Sequence, residues 1–192
     1  ETLDRLGDPI GVKLLAEELG IASVPWSEGQ VEDVESALGW AARLGYPLFV
    51  KAAAAGRDGL GVRRVSSAAD LPGAFEAVRS EAGLLFGDAR VFLEQKVPEA
   101  RHLGVQVVSD GQGAVWAAGL CECTLQRRNR TIVEESASPG LPDARVAELC
   151  DAASRLAAAT GFSGVGTVEF MVGPDDAPAL LLCHARQRAH EA

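Results

Sequence analysis

The sequence predicts an α/β fold of the mixed α+β kind, built as two lobes, and three observations carry that prediction. Apolar residues recur near helical spacing in several stretches, each bounded by Asp, Pro or Gly. A short apolar run, "YPLFVKAA", has strand character and stands before a glycine-bearing turn. From Arg101 onward apolar and polar residues alternate, the pattern of strands with one buried face.

Taken in order, "DPIGVKLLAEELG" brings Ile10, Leu14, Leu15 and Leu19 near helical spacing, opens on Asp8 and Pro9, and closes on Gly20. A proline in the first turn has its φ already set and misses no hydrogen bond there, so a capped helix is predicted. "VEDVESALGWAARLG" repeats the device with Val34, Leu38 and Leu44 before Gly45, and "IASVPWSEG" connects the two. "YPLFVKAA" predicts a strand buried on both faces that delivers Lys51 at its end. A helix follows over residues 70–82, with Leu71, Phe75 and Val78 on one face, and then a strand around "RVFLEQKV"; together these read as a βαβ-like lobe.

In the second half, Leu103, Val105 and Val107 point one way, "DGQG" turns the chain, and "AVWAAGLCEC" returns as the other arm of an antiparallel hairpin. "DARVAELCDAASRLAAATG" aligns Val146, Leu149, Ala153 and Leu156 and stops at Gly161, which predicts another helix. Two apolar strands joined by a turn span residues 167–184, with Glu169 the only carboxylate on the first of them.

Composition bounds the function classes. With 47% hydrophobic and 23% charged residues the 192-residue chain has an ordinary globular balance. Its 27 acidic against 18 basic side chains give a formal charge of −9, which repels phosphate backbones and anionic membrane surfaces on average and argues against nucleic-acid and membrane roles. The basic run "QRRNR" is local. Cys121, Cys123, Cys150 and Cys183 form no CxxC pair and no disulfide ladder, so the thiols are read as reduced and the chain as cytoplasmic; a Cys/His metal site of Cys121, Cys123, Cys183 and His184 is a minor alternative. The start, "ETLDRLGDP", has neither an initiator Met nor an apolar leader segment, so the chain is expected to be a soluble piece of something longer.

Five positions carry possible chemistry on residue type alone. Lys51, at a strand end before a loop with Gly56, Gly59 and Gly61, is placed to meet a phosphate, although that loop matches no phosphate-binding motif and reads equally as a hairpin turn. Glu94, where a strand emerges into a connector, can accept from a base or ribose, with a surface carboxylate as the bland reading. His102 and Gln126 are ambiguous between structural and binding roles. Glu169 lies in the otherwise apolar "GVGTVEFMV", where a carboxylate needs a cation or a hydrogen-bond partner; Mg²⁺ or a structural Arg127 or Arg128 both answer that need.

The segments "LGDPIGVKLLAEELGIASVPWSEG", "LGYPLFVKAAAAG", "VFLEQKVPEARHLGVQVVSDGQG", "CTLQRRNRTIVEESASPG" and "GFSGVGTVEFMV" together resemble the ATP-grasp region of biotin carboxylase, the ATP-using component of acyl-CoA and pyruvate carboxylases. The resemblance runs from about Leu6 to His190. It implies an N-terminal connecting helix over residues 1–23, a small lid lobe over 24–96, and a second lobe over 97–192 that is incomplete at its C-terminus. It implies ATP and Mg²⁺ as cofactors and biotin as the family's substrate, carboxylated with CO₂ released from carboxyphosphate. It also implies partners: the remainder of a biotin carboxylase module, a biotin carrier and carboxyltransferase components, in an oligomeric complex. By position, Lys51 resembles the lysine that contacts nucleotide phosphates, with Gly59 and Gly61 in the lid loop. Glu94 and Val97 resemble the adenine-contacting hinge, His102 and Gln126 the ribose-side contacts, and Glu169 the first of two acidic metal ligands.

The departures from the family pattern are specific. Pro9 stands where GDK supplies an ammonium, Leu60 near the expected lid-loop cation, Gly104 at a usual glutamate, and Thr131 at a bicarbonate-binding lysine. Alanines replace glycines in "AAAAGRDGLGV", and Asp58 adds a like charge beside phosphate. Matching Ala185 and Arg186 to the family's EMNTRLQVEHP pattern keeps Arg186 as the bicarbonate- and biotin-binding arginine. That register puts Leu182 at the second metal carboxylate, His184 at the asparagine and His190 at the base; a shift of one or two residues brings Cys183 or His184 to the metal position, and no register restores a carboxylate there. Mg²⁺ takes several oxygen donors in near-octahedral array, so the expected domain is a catalytically degenerate one with a structural or assembly role, its ATP and Mg²⁺ binding weakened or lost. The alternatives are an active ATP-dependent biotin carboxylase fragment and a non-catalytic nucleotide sensor.

Overall fold

The computed structural model describes residues 8–54, 60–127, 130–136, 138–174 and 177–184, with the side chains of Arg130 and His184 left aside. The fold is α+β and divides into two compact units. One runs from Val24 to Val97; the other joins the described residues up to Ser23 to those from Pro98 onward.

In the first unit, α2 (Val34–Leu44) follows α1 of the other unit (Pro9–Glu18) in the chain, and precedes β1 (Leu48–Ala52), β2 (Val62–Val65), α3 (Leu71–Phe86) and β3 (Val91–Gln95). The sheet order is β2-β1-β3 with β1 antiparallel to both neighbours. The βαβ-like lobe is therefore a split one, because β2, a strand not anticipated from sequence, turns back on β1 before α3 leads to β3. Leu48, Val50 and Ala52 are buried while Phe49 and Lys51 are half-buried, so β1 alternates instead of burying both faces. Asp33 caps α2 by accepting from the Ser36 N–H at 2.7 Å. Its buried face is Ala37, Ala41 and Leu44, the i, i+4, i+7 stripe, and Leu38, 38% exposed, lies off it. α3 runs past residue 82 to Phe86, carrying Gly83 inside the helix, and ends at Gly87, whose φ of 71° supplies the left-handed cap. Phe75, Val78 and Ala82 pack on β1 and β3 residues in one core cluster.

In the second unit, Asp8 accepts from the Ile10 N–H at 3.3 Å at the start of α1, with Pro9 in the first turn. Then come β4 (Arg101–Asp110), β5 (Val115–Glu122), the short β6 (Gln126–Arg127), β7 (Arg130–Thr131) and β8 (Glu135–Ser136), α4 (Asp143–Thr160), β9 (Ser163–Val172) and β10 (Pro178–His184). Five of these strands make one antiparallel sheet in the order β10-β9-β4-β5-β8. Leu103, Val105, Val168, Phe170 and Leu180 turn one face of it toward Leu149, Ala153 and Leu156 of α4 and Val12 and Ala16 of α1 in a common core. Side chains alternate along each strand, so His102, Gly104, Gln106, Thr167, Glu169 and Met171 share the opposite face. That opposite face holds the chemistry.

Candidate functional site

Glu169 is the centre of the site in the second unit. It pairs across the ladder with Gly104 on one side and with Leu182 on the other. A bulge between Leu180 and Leu182 sets this register; it lets Leu180 stay opposite Phe170 in the core while Leu182 faces Glu169. The row across the sheet is thus Cys121, Gly104, Glu169 and Leu182, one carboxylate among three side chains with no oxygen. Cys183 pairs with Val168 and enters the core, where burial, with the Glu169 carboxylate adding to it, pushes its thiol up to about 12. Cys183 therefore does not join Cys121 and Cys123.

Glu169 is 4% exposed, and His102 Nε2 lies 2.7 Å from its Oε2. Gln126 Nε2 meets the other ring nitrogen of His102 and also donates to the Cys123 carbonyl at 3.0 Å. The Gln126 amide donates, His102 Nδ1 accepts, and Nε2–H then donates to the carboxylate, so a neutral imidazole satisfies the whole relay. The sequence placed these three residues separately; the antiparallel pairing of β4 and β9 brings His102 beside Glu169, and the β6–β7 hairpin delivers Gln126. The His102 imidazole is one partner that meets the need of this buried carboxylate.

In the first unit, Lys51 and Glu94 form an ion pair. Phe49 stands directly opposite Glu94, which makes Lys51, two residues on, its diagonal neighbour on the same face. Glu94 is 1% exposed, a buried carboxylate and not the surface one of the bland reading, and Lys51 supplies the charge that its burial requires. Gly61 has a φ of 69°; its N–H points to Glu81 Oε1 at 3.4 Å and its carbonyl accepts from the Ala52 N–H. Val97 follows β3 half-buried. Gly59, Asp58, Arg186 and His190 lie outside the described residues.

The residues that flank Glu169 in its ladder row, Gly104 and Leu182, bring no second side-chain oxygen for a Mg²⁺. That ion takes oxygen ligands at about 2.0–2.1 Å in octahedral array, and the described neighbours of this carboxylate offer a glycine, a leucine and an imidazole nitrogen. Thr131, at the lysine position, is half-buried in β7 opposite Gln126. Sequence reasoning missed Glu134, whose carboxylate lies 3.4 Å from the Cys123 sulfur; the short β8, one position along, is what brings it there. Among the described residues no helix is long and apolar enough to cross a membrane.

The family profile "Carbamoyl-phosphate synthase L chain, ATP binding domain" matches residues 8–187. The chain is 37% identical over 170 residues to the propionyl-CoA carboxylase alpha chain of Ruegeria pomeroyi, covering 88% of this chain and 25% of that protein. It is 37% identical over 172 residues to the biotin carboxylase of Pseudomonas aeruginosa, covering 89% of this chain and 38% of that one. Among solved structures, the biotin carboxylase–β,γ-ATP complex from Campylobacter jejuni superposes with a TM-score of 0.94 at 32% identity, over 99% of this chain and 42% of that one. The biotin carboxylase domain of 2-oxoglutarate carboxylase from Hydrogenobacter thermophilus, in complex with MgADP, ADP and bicarbonate, gives 0.91 at 29%, over 97% and 41%. The chain thus spans a quarter to two fifths of the length of these relatives.

Proposed function

This chain belongs to the carbamoyl-phosphate synthase L chain ATP-binding family and is an ATP-grasp region of biotin-carboxylase type, and from that premise we propose that it is a catalytically degenerate domain with a structural or assembly role in an acyl-CoA carboxylase-type protein. One observation carries the reading: Glu169 sits between Gly104 and Leu182 and is engaged by His102, where Mg²⁺-dependent phosphoryl transfer needs a second hard oxygen ligand. Pro9 at the start of α1 removes both an ammonium and an N–H from the position the family uses for phosphate. In this reading the family's ATP and Mg²⁺ are held weakly or not at all, and biotin is not carboxylated here. The partners are the rest of the carboxylase module, a biotin carrier and carboxyltransferase components, in the cytoplasm.

A nucleotide-sensing role is the second reading, and the retention of Lys51, Glu94, His102 and Gln126 favours it. Two measurements on the full-length protein separate the cases: calorimetric titration with ATP, with and without Mg²⁺, and bicarbonate-dependent ATP cleavage with free biotin. The degenerate reading expects neither heat nor cleavage. Heat without cleavage selects the sensor, and biotin-dependent turnover overturns both.

A further inference from the structure

We propose that Cys121, Cys123 and Glu134 form a binding site for a borderline-soft divalent cation of the zinc type. The three donors converge for a reason of register. Residues i and i+2 of an extended strand share a face, so Cys121 near the end of β5 and Cys123 just beyond it present their sulfurs to the same side, 3.6 Å apart. Glu122 pairs with Glu135, so one further step along that antiparallel ladder sets Cys123 against Glu134, and a carboxylate oxygen comes within 3.4 Å of the Cys123 sulfur. The three ligand atoms lie within 4.8 Å of one another.

Two of the three spacings match one ion's coordination sphere. Zn–S bonds of about 2.3 Å and a Zn–O bond of about 2.0–2.2 Å at tetrahedral angles put two sulfurs ~3.8 Å apart and sulfur and oxygen ~3.5–3.7 Å apart. Two of the observed edges, 3.6 and 3.4 Å, lie within a few tenths of an ångström of these values, and the third, from the Cys121 sulfur to the Glu134 carboxylate, is at most 4.8 Å. The sulfurs are almost wholly buried, whereas Glu134 is half-buried and marks the side from which an ion can enter. Two thiolates and one carboxylate select zinc-like ions over Mg²⁺, whose preference is for oxygen. On binding, each thiol releases its proton to solvent and the fourth corner of the tetrahedron is left to water. The ion would pin the segment between Cys123 and Glu134, which carries Gln126 to the His102 ring.

The test titrates the metal-free, reduced full-length protein with Cd²⁺, following the thiolate-to-metal absorption band and the protons released, and then displaces Cd²⁺ with Zn²⁺. One saturable Cd²⁺ equivalent that is lost in Cys121→Ser is the expected result, together with two protons released. Affinity should fall at least about 100-fold in Cys121→Ser and Cys123→Ser, beyond the 10–100-fold cost of losing a partner outside the coordination sphere, and by a smaller factor in Glu134→Gln. Cys183 is buried with its thiol pushed up to about 12, and Cys183→Ala should leave the band unchanged. A Cys121→Ser protein with the wild-type unfolding midpoint and undiminished Cd²⁺ affinity overturns the site. So does a wild-type protein that shows no saturable band.

Discussion

The two faces of the five-stranded sheet differ in what their residues have to do. On the core face Leu103, Val105, Val168, Phe170 and Leu180 are all buried against helices, and a residue there is acceptable if it is apolar and of the right volume. On the other face Gly104, Glu169 and Leu182 form a row in which only one position kept a metal-binding group. The fold needs the first face and is indifferent to the second. Glycine and leucine in the row leave the backbone ladder intact, and the chain superposes on a biotin carboxylase complex at a TM-score of 0.94. The smaller sheet repeats the contrast: Leu48 and Val50 pack in its core, while Lys51 and Glu94 neutralise one another on the other side.

The largest expected effect is on the core face. Phe170→Ala should cost about 3–5 kcal/mol through lost burial and a residual cavity, read as a fall in the urea midpoint; a change below 1 kcal/mol would mean the two faces are not so different. Lys51→Met should be nearly as damaging, about 3 kcal/mol, because it removes the cation paired with the buried Glu94 carboxylate. The paired change Lys51→Met with Glu94→Leu should recover most of that loss, and failure to recover it would show that the pair does more than compensate its own charges.

Leu182→Glu sharpens the comparison on the site face. Two carboxylates directly opposite should cost up to about 1 kcal/mol without metal, and Mg²⁺ should then raise the thermal midpoint of the variant while leaving wild type unmoved. A Mg²⁺ response already present in wild type would undercut the reading of this row. The smallest effect is electrostatic. Burial pushes the Glu122 carboxyl up, but hydrogen bonds from Arg101, Ser138 and Thr124 outweigh it and hold it below its ordinary value of 4.5. A carboxyl with a depressed folded-state pKa adds stability above its unfolded value and loses it as pH falls through the folded one. Glu122→Gln should therefore flatten the acid limb of the stability curve below about pH 4.5 and leave the depth of the core-face penalty unchanged.

Much of this was legible in the linear chain, because it depends on local chemistry. The Asp8–Pro9 and Asp33 helix starts, the Gly161 stop, the "DGQG" turn and the alternation from Leu103 to Val107 are set by neighbours within a few residues. The family resemblance was legible too, since it rests on runs of residue type along the chain. Misjudgements arose where burial decides: the stripe of α2 follows Ala37 and Ala41 because small residues let a helix approach closely, a preference that hydrophobicity alone does not register.

By itself, then, the sequence determined the helices, the longer strands and the fold family, all properties of residue type and short spacing. Tertiary structure decided the pairings: His102 with Glu169, Lys51 with Glu94, and Cys123 with Glu134. Each joins residues on or directly beside different strands, and cross-strand register depends on bulges and on which face is buried, neither of which is written in any local stretch of chain.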